Sequence, residues 1–369
     1  MAISFEILAL LWIVLILIIE IMFFISLFIP IKITRMKSQP TVSLIVAVWN
    51  EGSRIAKCIK SILNQNYPKD KIEVIVAGGG KDDTVTVCKK FEKEKKIKFL
   101  YEKERQGKWH ALNRAIDSAK NETIAFTDAD CVLPKNWLKN LVSRLNDGDI
   151  IVSPYVYSSK KTLVHKMTFI TTLVLLSVIQ NLSKIAKVST FFGFGCLMKR
   201  KVIERVKFKK SFIEDLLFSY EAQRLGFKVA FDGNVRPLQA NPNSFSDMGK
   251  FVRRATPAII DEMRKIADFT SFFTLAYALL SILSLPLWFY YLLSFNKCVI
   301  LATVIFLVSS FITFLIIIIQ KGYLSRFYYF PLLLFSIFVY TFFGLKETFF
   351  LIFNKDRDWD NIWPIYNKA

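Results

Sequence analysis

Histidine is almost missing from this chain, which has two in 369 residues, and its five cysteines stand at irregular spacing without a Cys-x-x-Cys pair. Those shortages exclude a zinc framework and argue against a disulfide scaffold, so the thiols are expected to be reduced and buried. Acidic residues are also scarce, 30 against 50 Lys and Arg, which leaves a formal charge of +20. Such a surplus suits a negatively charged partner: nucleic acid on one reading, anionic lipid headgroups or a phosphorylated substrate on the other. No base-reading helix and no aromatic ribonucleoprotein strand stands in the sequence, which favours the second. A secretory signal is missing too, since Lys32, Arg35 and Lys37 follow the first apolar run instead of preceding it.

Apolar residues are abundant, at 53% of the chain with 35 Phe, a composition that strains a wholly soluble reading. The run Ile7 to Ile29, broken only by Glu20 and Ser26, exceeds the roughly 20 apolar residues a bilayer core requires. It reads as an uncleaved anchor whose trailing bases place the following residues in the cytoplasm. Three further runs, Phe269 to Phe295, Cys298 to Ile319 and Phe327 to Phe353, read as spans, with Lys321 and Arg326 in a cytoplasmic turn. Lys346 and Glu347 mark a span end or the start of an interfacial helix. The expectation is an integral protein of the cell membrane, with an anchor over 1–37, a cytoplasmic domain over 38–247, an amphipathic interfacial helix over 248–268, a transmembrane bundle over 269–353 and a polar tail over 354–369. The apolar segment Leu163 to Ala186 is either another interfacial helix or a buried core helix.

Within the central stretch, short buried strands alternate with amphipathic helices. Val42 to Val48 is a near-continuous β-branched run, Ser53 to Asn64 repeats apolar residues at helical spacing, and Ile72 to Ala77 is the next strand. That order predicts an α/β domain with a mostly parallel sheet and ligands beyond the carboxyl ends of its strands. The loops there are Trp49-Asn50-Glu51-Gly52 and Gly78-Gly79-Gly80-Lys81-Asp82-Asp83. A later strand ends in Asp128-Ala129-Asp130, whose carboxylates can reach one divalent cation or form a solvated acidic turn. Asn50, Glu51, Asp82 and Asp83 also read as helix caps, and the glycines as a tight turn. Lys108 opens a helix, a natural seat for phosphate or an ordinary solvated lysine. Asp215 stands where it can cap the helix that follows.

In order, VSLIVAVWNE, a glycine-rich loop with Asp, GKxxALNxA, FTDADC, GFGCLMKR and IED resemble the inverting family 2 glycosyltransferases of GT-A fold from about Thr41 to Ala255. CLMKR to GFKVAF is also similar to ceramide glucosyltransferases. The resemblance implies a hexosyl-transferring enzyme in which Asn50, Glu51, Asp82, Lys108, Asp128 and Arg254 bind the donor. Asp130 and Asp128 would hold Mg²⁺ or Mn²⁺, and Asp215, with Glu214 beside it, would be catalytic. Two stretches depart from the family: Ala77 and Gly78 stand where an Asp contacts the nucleobase, and Phe251 to Ala255 keeps Arg254 but loses the Gln and Trp of Gln-x-x-Arg-Trp.

The expected activity is transfer of one sugar from a nucleotide-diphosphate sugar to a hydroxyl of a lipid or lipid-linked glycan at the membrane, with inversion. A phosphate acceptor is already ionised and needs no base, so Asp215 favours a hydroxyl. Alternatives are a processive polysaccharide synthase and a polyprenyl-phosphate glycosyltransferase. A nucleotide-binding membrane transporter or receptor would place ionisable residues along a path inside its spans, and these runs offer almost none.

Overall fold

The computed structural model describes residues 14, 18, 21–29, 36, 38–157, 162–182, 184, 195–211, 213–232, 236–240, 242, 244–250, 252–253, 297–337, 339 and 342–343. The chain divides into two units: an α/β unit of Ile31–Ser158, Ser189–Asn241 and Lys355–Ala369, and a second unit of Met1–Pro30, Ser159–Val188 and Pro242–Asn354.

The α/β unit begins with β1 (Val42–Trp49), α1 (Gly52–Leu63), β2 (Ile72–Gly79), α2 (Thr84–Lys93), β3 (Lys98–Tyr101), α3 (Lys108–Ser118) and β4 (Thr123–Asp128). β5 (Cys131–Val132), α4 (Trp137–Ser143), β6 (Ile150–Val152) and β7 (Val156–Tyr157) follow. In β1, Val42, Leu44, Ile45 and Val46 are all fully enclosed, which explains why this strand reads as an unbroken apolar run instead of an alternating one. Ile55, Cys58, Ile59 and Ile62 of α1 join Trp137, Leu138 and Leu141 of α4 in the same core. Four cysteines, Cys58, Cys88, Cys131 and Cys196, are free and buried, as their spacing suggested.

After α5 (Leu163–Leu182), which lies in the other unit, the sheet resumes with β8 (Gly195–Lys199), then α6 (Arg200–Arg205), α7 (Glu214–Arg224), β9 (Val229–Phe231) and β10 (Leu238–Gln239). The main sheet runs β3-β2-β1-β4-β8-β6-β9. β1, β2, β3 and β4 are parallel, while β8 is antiparallel to both β4 and β6. Six of the seven strands therefore run the same way, as the mostly parallel expectation had it, and β8 alone opposes them and makes the sheet mixed. Between β6 and β8 the chain runs through a segment of the other unit, so no crossover helix packed on the sheet enforces parallel pairing there. A small second sheet joins β5, β10 and β7.

Register sets the working edge. Trp49 stands opposite Gly79, and Ala47 opposite Asp128, so the chain leaves β1, β2 and β4 on one side of the sheet. Gly78 has φ 130, and a Cβ there would lie 2.0 Å from the Val48 carbonyl oxygen. The backbone of β1 thus passes where any side chain at 78 would begin.

The membrane expectations are corrected by the second unit: among the described residues no helix is long and apolar enough to cross a membrane. The run Cys298 to Ile319 forms α8 (Lys297–Gln320), whose side chains at 297–303, 305, 306 and 309 lie outside the described residues. Of those described, Phe314, Ile317 and Ile318 are buried, and the rings of Phe311 and Phe314 meet Phe330. Its described apolar surface thus goes partly into packing within the unit. α5 behaves alike: Phe169 meets Tyr323 edge-on, Thr171 shares a 2.6 Å hydrogen bond with Ser336, and Val164 and Met167 pack on Met248. The segment Leu163 to Ala186 is thus a packed helix as far as Leu182, outside the α/β unit. The expected span 269–295 and the tail 354–369 lie outside the described residues, as do most of 7–29, 248–268 and 338–353. Transmembrane helices at both ends, a membrane partner and placement in the cell membrane with a cytoplasmic domain therefore lose their support.

Gly78→Ala should lower unfolding free energy by about 2–4 kcal/mol, because it adds both backbone strain and a collision with β1. Gly226→Ala, at φ 87 with nothing within 4 Å of its Cβ, should cost only about 1 kcal/mol. Urea melts giving equal losses would show that the approach of β1 to Gly78 carries no energetic weight.

Candidate active site

Asn50 follows β1 at φ 55, a left-handed conformation that Asn tolerates better than most residues. Its side-chain oxygen accepts the Lys81 N–H at 2.7 Å. From the other loop, the Thr84 hydroxyl accepts the backbone N–H groups of Glu51 and Gly52 at 2.7 and 2.8 Å. Asp82 accepts the Thr84 N–H at 3.0 Å. Asn50 and Thr84 thus tie the β1 and β2 loops to each other, while Asp82 bonds the first residue of α2 and Asp83, at the cap position, makes no side-chain cap bond. Glu51 meets Arg54 at 3.1 Å, out of hydrogen-bond alignment. Burial pushes the Glu51 carboxyl up to about 7, with Asp130, Asp128 and Asp82 adding to the rise against Arg54.

Asp128 and Asp130 flank the end of β4, with the Cys131 thiol beside them, and the potential ligand atoms of all three lie within 4.8 Å of one another. Burial, then the negative charge of Asp128, raises the Asp130 carboxyl to about 6 against the pull of Lys108 and Arg54. Two crowded carboxylates offer hard oxygen ligands, a donor set that fits Mg²⁺ or Mn²⁺.

The Lys108 ammonium stands 2.6 Å from Asp128 Oδ1 and 3.5 Å from Glu214 Oε1. The side chain is about a third exposed, with its ammonium set among these carboxylates. Enclosure alone would lower its affinity for the proton; Asp128, Glu214 and Asp215 more than reverse that, so Lys108 stays charged. Asp215, at the first turn of α7, accepts the N–H of Leu216 at 2.9 Å. Burial and the neighbouring Glu214 raise its carboxyl to about 7 in spite of Lys108.

Asn50, Glu51, Asp82, Lys108, Asp128, Asp130, Glu214 and Asp215 therefore belong to one electrostatically connected cluster or to the two loops tied beside it. Arg254 lies outside the described residues. Sequence reasoning missed three contributors. Cys131 was visible in FTDADC and passed over as a buried thiol. Thr84 carried no signal beyond its place after two aspartates. Tyr155 is enclosed near Asp215 and Asp128, with its hydroxyl pushed upward by burial although Tyr157 offers a hydrogen bond; no motif marks it.

Residues 43–207 match the family model "Glycosyl transferase family 2". Glycosyltransferase AglE of Haloferax volcanii is 36% identical over 109 residues, 29% of this chain and 36% of that protein. Poly-beta-1,6-N-acetyl-D-glucosamine synthase of Staphylococcus epidermidis is 23% identical over 326 residues, covering 86% of this chain and 75% of the synthase. The chain spans little more than a third of the length of the Haloferax relative. Among solved structures, the mannosyltransferase PcManGT from Pyrobaculum calidifontis, in complex with GDP-Man and Mn²⁺, superposes with TM-score 0.61 at 19% identity, over 92% of this chain and 97% of that one. That likeness establishes a shared fold, and the family model and the Haloferax relative mark a similarity to family 2 glycosyltransferases that covers less than half of the chain.

The raised Asp215 carboxyl also has a stability consequence. The folded protein holds that proton where the unfolded chain, with an ordinary Asp near 3.8, has released it. The group's contribution is therefore fully present below about pH 4 and declines as pH rises towards 7. Asp215→Asn removes the ionising group, so its melting temperature should gain on the wild type between pH 5 and pH 8. A difference that stays flat across that range would contradict the burial of this charge.

Proposed function

We propose that this protein transfers a sugar from a nucleoside-diphosphate sugar to an acceptor hydroxyl with inversion at the anomeric carbon. The observation that carries this reading is the position of Lys108, whose ammonium touches Asp128 on one side and Glu214 on the other. A cation at that point lies beside both the carboxylates suited to a metal and the carboxylate pair suited to proton removal. The family match and the shared fold support the same reading.

In this mechanism the acceptor oxygen attacks the anomeric carbon as its proton passes to Asp215. The bond from that carbon to the diphosphate oxygen breaks, and its electron pair leaves with the diphosphate. Lys108 stabilises the growing negative charge. A divalent ion held by Asp128 and Asp130 would supply Lewis-acid stabilisation to the same leaving group. Glu51 and Asp82, on the tied loops, would border the donor, and Asn50 would keep those loops together. Glu214 holds Lys108 and lifts the Asp215 carboxyl, which keeps the base near the pH at which it works.

Asp215→Asn keeps the side-chain size and an oxygen able to accept the Leu216 N–H, so the protein should fold and bind donor while transfer falls about a hundredfold or more. Wild-type transfer should rise with pH and level off near the raised Asp215 value of about 7. Near-normal transfer by Asp215→Asn, with product release shown not to limit the rate, would remove Asp215 as base.

Excess chelator should abolish turnover, with Mn²⁺ or Mg²⁺ restoring it. Asp130→Ala should cost several kcal/mol in the transition state, on the order of a thousandfold in rate. Nucleotide release from a panel of nucleotide sugars provides the assay, and full turnover in chelator would refute the metal's part.

A further inference from the structure

Glu102 follows β3 and is buried, with its side chain only 5% exposed. Its carboxylate takes part in no step above. One oxygen, Oε1, meets His110 Nδ1 at 2.9 Å and Arg114 Nη1 at 3.1 Å, both on α3. Its backbone N–H donates to the Gly78 carbonyl at 2.8 Å, so the residue is fastened to the glycine edge of β2 as well. We infer that Glu102 is a positioning residue for Lys108, fixing the rotation of α3 about its own axis; the inference rests on the function proposed for Lys108.

The helical repeat carries the argument. His110 comes two residues after Lys108 and Arg114 six, so both project roughly 200–240° around the axis from Lys108. Glu102 therefore grips the side of the helix facing away from the Asp128 and Glu214 contacts. A roll of roughly 15° moves an ammonium about 6 Å from the axis by about 1.5 Å. That shift is enough to break a 2.6 Å contact. The buried face of α3 consists of Ala111, Leu112, Ala115 and Ile116. Two of the four are alanines, whose short side chains resist rolling less than large interlocking ones. The ionic grip on the outer side supplies the missing constraint, and two contacts four residues apart on one carboxylate define an angle where one would not.

A double-mutant cycle tests this, with inorganic pyrophosphate as the probe and its affinity measured calorimetrically in MnCl₂. Glu102→Gln should weaken pyrophosphate binding about tenfold in the wild-type background and leave it unchanged in a Lys108→Met background, because the clamp then has no ammonium to place. Equal losses in both backgrounds would show that Glu102 acts on general integrity and would overturn the inference, as would no loss in the wild type. Arg114→Met breaks the same clamp from its exposed end and serves in the cycle if Glu102→Gln does not fold. Wild-type protein that binds no pyrophosphate would overturn the diphosphate role of the site itself, an outcome distinct from the two that concern Glu102 alone.

Discussion

The site depends on one enclosed ammonium. Lys108 stands among carboxylates that would otherwise repel one another: Asp128 at the end of a central strand, and Glu214 and Asp215 at the start of a helix about a hundred residues later in the chain. Without that cation, burial and mutual repulsion would drive protons onto these groups and remove the charges the proposed chemistry uses. The remainder of the α/β unit can be read as support for that arrangement. Parallel β1, β2 and β4 bring their loops out on one edge in fixed register, and the Thr84 hydroxyl and Asn50 side chain lock two of those loops together.

Much of that support was legible in the sequence because it obeys local rules. The apolar run Val42 to Val48 can only be a strand covered on both sides, and Phe126-Thr127-Asp128 is a buried strand meeting its polar end. Lys108 at a helix start and Glu214-Asp215 at another were visible for the same reason. The antiparallel entry of β8 was not legible, since nothing within Gly195 to Lys199 records that the chain has passed through a different unit before returning. Glu102, Thr84 and Tyr155 escaped because each matters through residues distant in the chain, and a single carboxylate, hydroxyl or phenol carries no periodicity.

The apolar segments show the opposite failure. Composition located their helices, as α5 and the stretch around Phe311 to Ile318 attest, yet hydropathy cannot tell whether an apolar side chain meets lipid or another helix. The edge-on contact of Phe169 with Tyr323, the stacking of Arg326 over both rings and the Thr171–Ser336 hydrogen bond are protein–protein contacts that a hydropathy window treats as interchangeable with solvent of any low polarity.

The crowding at Gly78 and Gly79 reaches into how this chain can change over evolutionary time. A side chain at 78 would start inside the Val48 carbonyl, and one at 79 would start 2.2 Å from the Glu102 carbonyl oxygen. The Asp that the resemblance to family 2 enzymes led one to expect at 77 or 78 therefore cannot be installed at 78 by a single codon change; β1 would have to shift first. Sequence change is channelled instead into the loop from Gly80 onward, where substitutions do not have to move a core strand. The glycine pair thus couples side-chain identity at 78 to the path of a core strand, so related chains that differ at 78 should also differ in the path of their first strand.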